Sequence, residues 1–231
     1  MTDIVLAAER LTKRFGQTDA LGGIDLDVER GEILAILGPS GSGKSTLLHC
    51  LAGVLPADGG NVTYDGRRID QLDEAERSAL RRSAFGFVFQ FGQLIPELPA
   101  IENVALPLLL DGVARREANE RSLGALASFG IASLADTLPG AMSGGEAQRV
   151  AVARALVARP RIVFADEPTG SLDSHNGERV MERFTDLVRA SDTTLIVITH
   201  EPRVAAYADR EVIVRDGLIA GAQRADLALA R

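Results

Sequence analysis

The sequence predicts an α/β fold with a mainly parallel sheet core, an antiparallel β edge subdomain and a helical subdomain. Three features predict it. The apolar run Ile33-Leu34-Ala35-Ile36-Leu37 enters a glycine-rich loop, Gly38-Pro39-Ser40-Gly41-Ser42-Gly43-Lys44-Ser45-Thr46, and Leu47, Leu48 and Leu51 follow at helical spacing. Two more apolar runs, Ile162-Val163-Phe164-Ala165 and Leu195-Ile196-Val197-Ile198, flank a helical stretch over about 175–190. Strands buried on both faces of a parallel sheet with crossover helices have this pattern. Asp65-Gly66 and Asp216-Gly217 each separate short strand-like runs and read as hairpin turns.

In chain order, residues 4–15 alternate loosely and read as an edge strand and turn. Ile24, Leu26 and Val28 alternate with Asp25 and Asp27, the pattern of a half-buried strand. Glu29-Arg30-Gly31 turns into the central strand. Gly53 is placed to end the helix after the glycine-rich loop. Val62-Thr63-Tyr64 forms one hairpin arm, and Asp73 to Arg82 a charged helix in which Asp73 and Glu76 can form a capping box. Phe85-Gly86-Phe87-Val88-Phe89-Gln90 reads as an aromatic strand. From Phe91 to about Pro160, Leu, Ala, Glu and Arg at helical spacing dominate. The 231 residues are therefore expected to form one domain. About 1–90 and 161–231 would build the core and the β subdomain, and about 91–160 the helical subdomain.

The net charge of −7 and pI near 5.1 argue against a nucleic-acid binder, which needs a basic face. Cys50 is the single cysteine, so no intrachain disulfide can form, in keeping with a reducing cytosol. The start Met1-Thr2-Asp3 lacks a secretory leader pattern, and no apolar run approaches the ~18 residues of a membrane span. Any membrane role must come through a partner.

The loop Gly38–Thr46 fits G-x-x-x-x-G-K-[ST], the phosphate-binding loop. Glycines let the backbone curl until several N–H groups face one anion, and the helix N-terminus adds partial positive charge. Lys44 should reach the β- and γ-phosphates and the Ser45 hydroxyl should ligate Mg²⁺. Three apolar strands each end on a chemically useful group: this loop, Asp166-Glu167, and His200. Asp166 should hold Mg²⁺ through water. Glu167, one step on, should polarise the attacking water. His200 should hydrogen-bond the γ-phosphate or the Glu167 side. Taken alone, an Asp-Glu pair or a strand-end His is an ordinary solvated terminus. Gln90 can both donate and accept, which suits contact with Mg²⁺ or the water; its plain alternative is a strand-terminal amide. Ser143-Gly144-Gly145-Glu146 opens a helix as a capping box, or as a second anion-binding helix start whose glycines admit a phosphate. Two anion sites on one small domain suggest that each nucleotide is shared by two copies.

At these residues the chain resembles the ATP-binding cassette (ABC) ATPases, in order and over essentially its whole length. The phosphate loop, Gln90, Ser143 to Glu146, Asp166-Glu167, Ser171-Leu172-Asp173 and His200 fall where that family has its Walker A, Q-loop, signature, Walker B, D-loop and H-loop. Met142 and Glu146 depart from the common L-S-G-G-Q signature. Phe15 lies where the family places an adenine-stacking Tyr, and a Phe keeps the π-face. The resemblance implies a homodimer that sandwiches ATP and Mg²⁺, with Lys44 and Asp166 from one copy and Ser143 to Gly145 from the other. Glu167 would be the catalytic base.

Phe87-Val88-Phe89-Gln90, Leu94-Ile95-Pro96, Glu102 to Pro107 and Asp166-Glu167-Pro168-Thr169-Gly170 resemble the LolD-like, MacB-like and FtsE-like group. This implies an FtsX-like permease partner, docked near Gln90 to Asn103, and a place at the cytoplasmic face of the membrane. The competing readings are a soluble cassette ATPase of the translation or DNA-repair kind, and a small-molecule P-loop kinase. The first usually carries tandem cassettes, coiled coils or zinc modules, and the second leaves Ser143 and His200 without a role.

Overall fold

The computed structural model describes residues 3–90 and 94–224. In chain order its elements are β1 (Ile4–Phe15), β2 (Thr18–Glu29), β3 (Ile33–Leu37), α1 (Lys44–Leu51), β4 (Gly59–Tyr64), β5 (Arg67–Arg68), α2 (Glu74–Ala84), β6 (Phe85–Val88), α3 (Ala100–Leu110), α4 (Arg115–Ser128), α5 (Gly144–Leu156), β7 (Ile162–Asp166), α6 (Ser174–Ala190), β8 (Thr194–Ile198), α7 (Pro202–Ala205), β9 (Arg210–Arg215) and β10 (Leu218–Arg224). Two short 3₁₀ turns lie between α4 and α5. The described residues divide into two compact units, one of 3–81 with 194–224 and one of 82–90 with 94–193.

The first unit holds two sheets. In one, strands run β10-β9-β3-β8, with β3 parallel to both β8 and β9. Ile33 to Ile36 and Leu195 to Ile198 are buried throughout, which explains their unbroken apolar runs. α1 packs Leu47, Leu48 and Leu51 into this core and ends at Ala52, and Gly53 then takes φ 62°, where a side chain would be strained. Cys50 lies buried on the same helix, and burial pushes its thiol up to about 11.

The other sheet runs β2-β1-β4-β5. β1 is an interior strand there, so the reading of residues 4–15 as a sheet edge is corrected. Ala8 faces Leu26 on one side and Val62 on the other. The weak alternation has another cause. The register shifts between Ala8 and Leu11, and Arg10 sits at φ 48° with its N–H donated to Asp25 Oδ1. An irregularity of this kind breaks a period-two pattern inside a strand that has neighbours on both sides.

Both hairpin turns form as the sequence predicts. Asp65 and Gly66 have φ 47° and 75°, and Asp216 and Gly217 have φ 51° and 73°, the doubly left-handed backbone of a tight primed turn. Asp73 and Glu76 form the capping box, with Glu76 N–H donated to Asp73 Oδ1 at 2.8 Å and Asp73 N–H to Glu76 Oε2 at 3.1 Å. Such a cap stabilises a helix by about 1 kcal/mol.

In the second unit, β6 and β7 run parallel. The Phe164 ring packs edge-on against Phe85 at 5.2 Å and stacks on Phe87 at 5.7 Å. Gly86 lets this pair approach α5, because a Cβ there would lie 2.4 Å from Ala155 O. β6 ends at Val88, two residues short of the expected strand. Gln90 therefore lies past the strand in a turn, while Phe91 falls outside the described residues. α3, α4 and α5 form the expected helical stretch, and no strand interrupts it among the described residues of 94–160. α6 buries Val180, Met181, Phe184 and Val188 on one face.

Candidate functional site

In the first unit the phosphate loop leaves the C-terminal end of β3 and is braced from behind. A Cβ on Gly38 would sit 2.1 Å from Val214 O, and one on Gly43 would sit 2.4 Å from Ala20 O. Gly217 in the β9–β10 turn donates its N–H to Ser42 O at 3.0 Å. Gly38, Gly41 and Gly43 all have positive φ. The loop thus needs glycine both for its conformation and for its close packing.

α1 starts at Lys44 with Gly43 as N-cap, no side-chain cap bond and no acidic residue in its first turn. The N–H groups of its first turn have no partner within the helix. Lys44 is buried, 7% exposed, and its ammonium donates to Gly38 O and Pro39 O, each at 2.8 Å. Ser42 Oγ is buried without a hydrogen-bond partner. Gathered donors, a helix start free of negative charge and an orphaned hydroxyl fit a bound triphosphate. Ser40 and Ser45 are exposed and Thr46 is half-buried.

β8 carries His200 to the same end of the sheet. Ile36 pairs with Ile198, so Gly38 and His200 each lie two residues past a paired position. His200 is exposed, while Thr199 beside it is buried and accepts Glu201 N–H at its Oγ1. Phe15 closes β1, half-exposed at 51%, with the Lys13 ammonium 5.6 Å from its ring centre. Lys13 is itself held by Asp58 at 2.8 Å. An exposed ring beside a cation offers one face for stacking.

The second unit carries Gln90, Asp166, Glu167, Ser143 to Glu146 and Asp173, of which Gln90 and Glu167 are brought together beside Gly170. Val88 pairs with Ala165, so Gln90 and Glu167 each lie two residues past that pair. Asp166 is the last residue of β7. Glu167 has φ 46°, a conformation uncommon outside glycine that turns the chain sharply after the strand. Buried Asn103 organises the neighbouring stretch: its side chain accepts Ile95 N–H at 2.7 Å and donates to Leu98 O at 2.7 Å.

At the start of α5 the capping box is complete. The Glu146 carboxylate accepts from both Ser143 N–H and Ser143 Oγ at 2.8 Å, and these bonds hold it below the usual range for a glutamate. Gly144 lies against Leu172, and Gly145 against Asn176, at 3.7 Å from the Cβ each glycine lacks. Asp173 caps α6 by accepting Asn176 N–H at 3.0 Å. That backbone bond, followed by the Asn176 side chain, lowers the Asp173 carboxyl pKa. Both roles offered by the sequence for Ser143-x-x-Glu146 are compatible with this geometry, and the cap is the one made within the chain.

Two contacts had no sequence signal strong enough to find them. The Lys44 bonds to its own loop depend on the curl of the backbone. Gly170, after Thr169, faces Gln90 and Glu167, although its only visible mark was membership of the Asp166–Gly170 stretch.

A family model described as ABC transporter matches residues 21–170. The lipoprotein-releasing system ATP-binding protein LolD of Bacteroides thetaiotaomicron is 46% identical over 215 residues, covering 93% of this chain and 99% of that protein. LolD of Legionella pneumophila strain Lens is 41% identical over 221 residues, covering 94% and 97%. Among solved structures, the dimeric post-hydrolysis state of the ATP-binding cassette MJ0796, bound to ADP and Pi, superposes with a TM-score of 0.88 at 36% identity, covering 95% of this chain and 98% of that one. CbiO1 of Clostridium perfringens, part of the ABC transporter complex CbiONQ, gives 0.87 at 30% identity, covering 96% and 89%.

Proposed function

The chain belongs to the ABC transporter family as an ATP-binding, ATP-hydrolysing subunit, and from this premise we propose that two copies close on two ATP molecules to drive an FtsX-like membrane subunit. The observation that carries the proposal is the division of anion-binding features within one chain: a braced phosphate loop around Lys44, and a separate helix start at Ser143. One nucleotide does not need both from the same copy. The dimeric state of MJ0796 with ADP and Pi supports sharing between copies.

Each residue then has a role. The loop N–H groups from Gly38 to Thr46 and the Lys44 ammonium hold the phosphates, and Phe15 stacks on the base. Ser143, Gly144 and Gly145 complete the γ-phosphate site of the partner copy, with Asp173 fixing the segment beside them. Glu167 accepts a proton from water as its oxygen attacks the γ-phosphorus; the bond to the bridging oxygen breaks and ADP leaves. His200 stabilises the charge on the γ-phosphate oxygens.

The oxygen donors of Ser45, Asp166 and Gln90 suit Mg²⁺, which would neutralise phosphate charge. Among the described residues no cluster of three or more His, Cys, Asp or Glu could hold a metal alone. Mg²⁺ usually keeps several waters and is held by one or two protein groups plus substrate phosphates.

No helix among the described residues is long and apolar enough to cross a membrane. We place the membrane work in a second subunit, with this chain at its cytoplasmic face, as the transporter family suggests. The LolD relatives are ATP-binding proteins of a lipoprotein-releasing system; the FtsX-like partner, received near Gln90 to Asn103, is our reading of the sequence resemblance, and 91–93 of that segment lie outside the described residues. Co-expression with such a permease should let the two co-purify in detergent; two subunits that separate cleanly would remove that partner.

Dimer closure has its own test. Ser143→Arg puts bulk and a competing charge at the shared phosphate. In a Glu167→Gln background, it should leave ATP binding within about twofold and abolish the ATP-dependent dimer peak on size exclusion, because only the contact with the other copy is lost. A persistent dimer would refute the shared site.

A further inference from the structure

Gly170 sits in the turn after β7, where its N–H donates to Glu167 O at 3.1 Å. It is not among the glycines with positive φ, and it is exposed. An ordinary side chain could therefore adopt this backbone without strain. The space beside it is the constraint. A Cβ would lie 3.2 Å from Gln90 Nε2, 3.2 Å from Glu167 Oε2 and 3.5 Å from Gln90 Cγ. The glycines at the start of α5 are looser, with neighbours no nearer than 3.7 Å.

We propose that Gly170 is a positioning residue for ATP hydrolysis: its missing side chain lets the Glu167 carboxylate and the Gln90 amide converge on one point from two neighbouring strands. The inference rests on Glu167 being the base, as assigned above. Both polar atoms occupy contact distance from the same absent methyl. Adding the methyl displaces one or both by a few tenths of an ångström. A general base works only within hydrogen-bond reach of its water, about 2.6–3.2 Å, so a small displacement slows the chemical step. Since a misplacement of about 1 Å can cost ~100-fold, a few tenths should cost about three- to tenfold. Stability should not suffer, because Ala at a compatible turn restricts the unfolded chain.

The test compares Gly170→Ala, Gly170→Ser and Glu167→Gln with the parent chain. Turnover of Mg·ATP, ATP affinity by calorimetry and the Tm are measured for each. The expected result is kcat down about three- to tenfold in both Gly170 variants, with KM, ATP affinity and Tm unchanged or Tm slightly raised. Parental kcat in both variants would overturn the proposal. So would a loss of kcat that tracks a loss of affinity or of Tm, since that marks a residue supporting the fold. If Glu167→Gln itself turns over normally, the base assignment falls and this inference falls with it. If Glu167→Gln is inactive and Gly170→Ala is normal, only this inference falls.

Discussion

Glu167→Gln should lower kcat about 100- to 10,000-fold, the usual contribution of a positioned general base, while nucleotide affinity stays within about twofold. The substitution is nearly isosteric. It keeps the side chain's length and its contact with the space beside Gly170. The left-handed backbone at φ 46° is as available to Gln as to Glu. What disappears is the capacity to take a proton from water. An enzyme that binds but does not cleave should remain closed, so ATP should convert the variant to a stable dimer on size exclusion. Single-turnover phosphate release and sizing in ATP would check both halves. Release at the parental rate would refute the role of Glu167.

Lys44→Ala should abolish measurable nucleotide binding by calorimetry, with affinity reduced by at least about 100-fold. Charge-assisted hydrogen bonds contribute about 1.5–3 kcal/mol each, and the ammonium is placed to make more than one to the phosphates. At about 1.4 kcal/mol per tenfold, two such bonds account for that loss. The free chain shows why the lysine is ready for this exchange. Its ammonium already rests on Gly38 O and Pro39 O, inside the loop that would hold the anion. Binding therefore moves the head between partners a short distance apart and does not order a free side chain. The fold should survive, because the apolar residues Leu47, Leu48 and Leu51 seat α1 without it. Unchanged ATP affinity with an unchanged Tm would contradict the assignment.

Much of the local structure around the candidate site was legible in the sequence, and the reasons lie in local chemistry. The phosphate loop needs glycine at fixed offsets, so Gly38, Gly41, Gly43 and Lys44 declare it. The pairs Ser143/Glu146 and Asp73/Glu76 close capping boxes within one turn of helix. Asp65-Gly66 and Asp216-Gly217 set their hairpins because few other residue pairs tolerate two successive left-handed conformations. Where the reading failed, a distant neighbour decided. β1 looked like an edge because its bulge hides the alternation, and only its pairing with β4 shows it to be interior. β6 stops at Val88 although Phe89 and Gln90 continue the same pattern.

By itself, then, the order of residues determined the glycine-rich loop, the hairpin turns, the helix caps and the family, since each motif that declares them lies within a few positions of the chain. Tertiary structure alone decided what lies across a gap. It set the brace of Val214 and Ala20 behind the glycines, the resting place of Lys44, the matched offsets of Gln90 and Glu167, and the room left at Gly170. The brace and the meeting of Gln90 with Glu167 and Gly170 depend on segments far apart in the chain, and the Lys44 contacts on the backbone curl of its own loop, neither of which a period or a motif encodes.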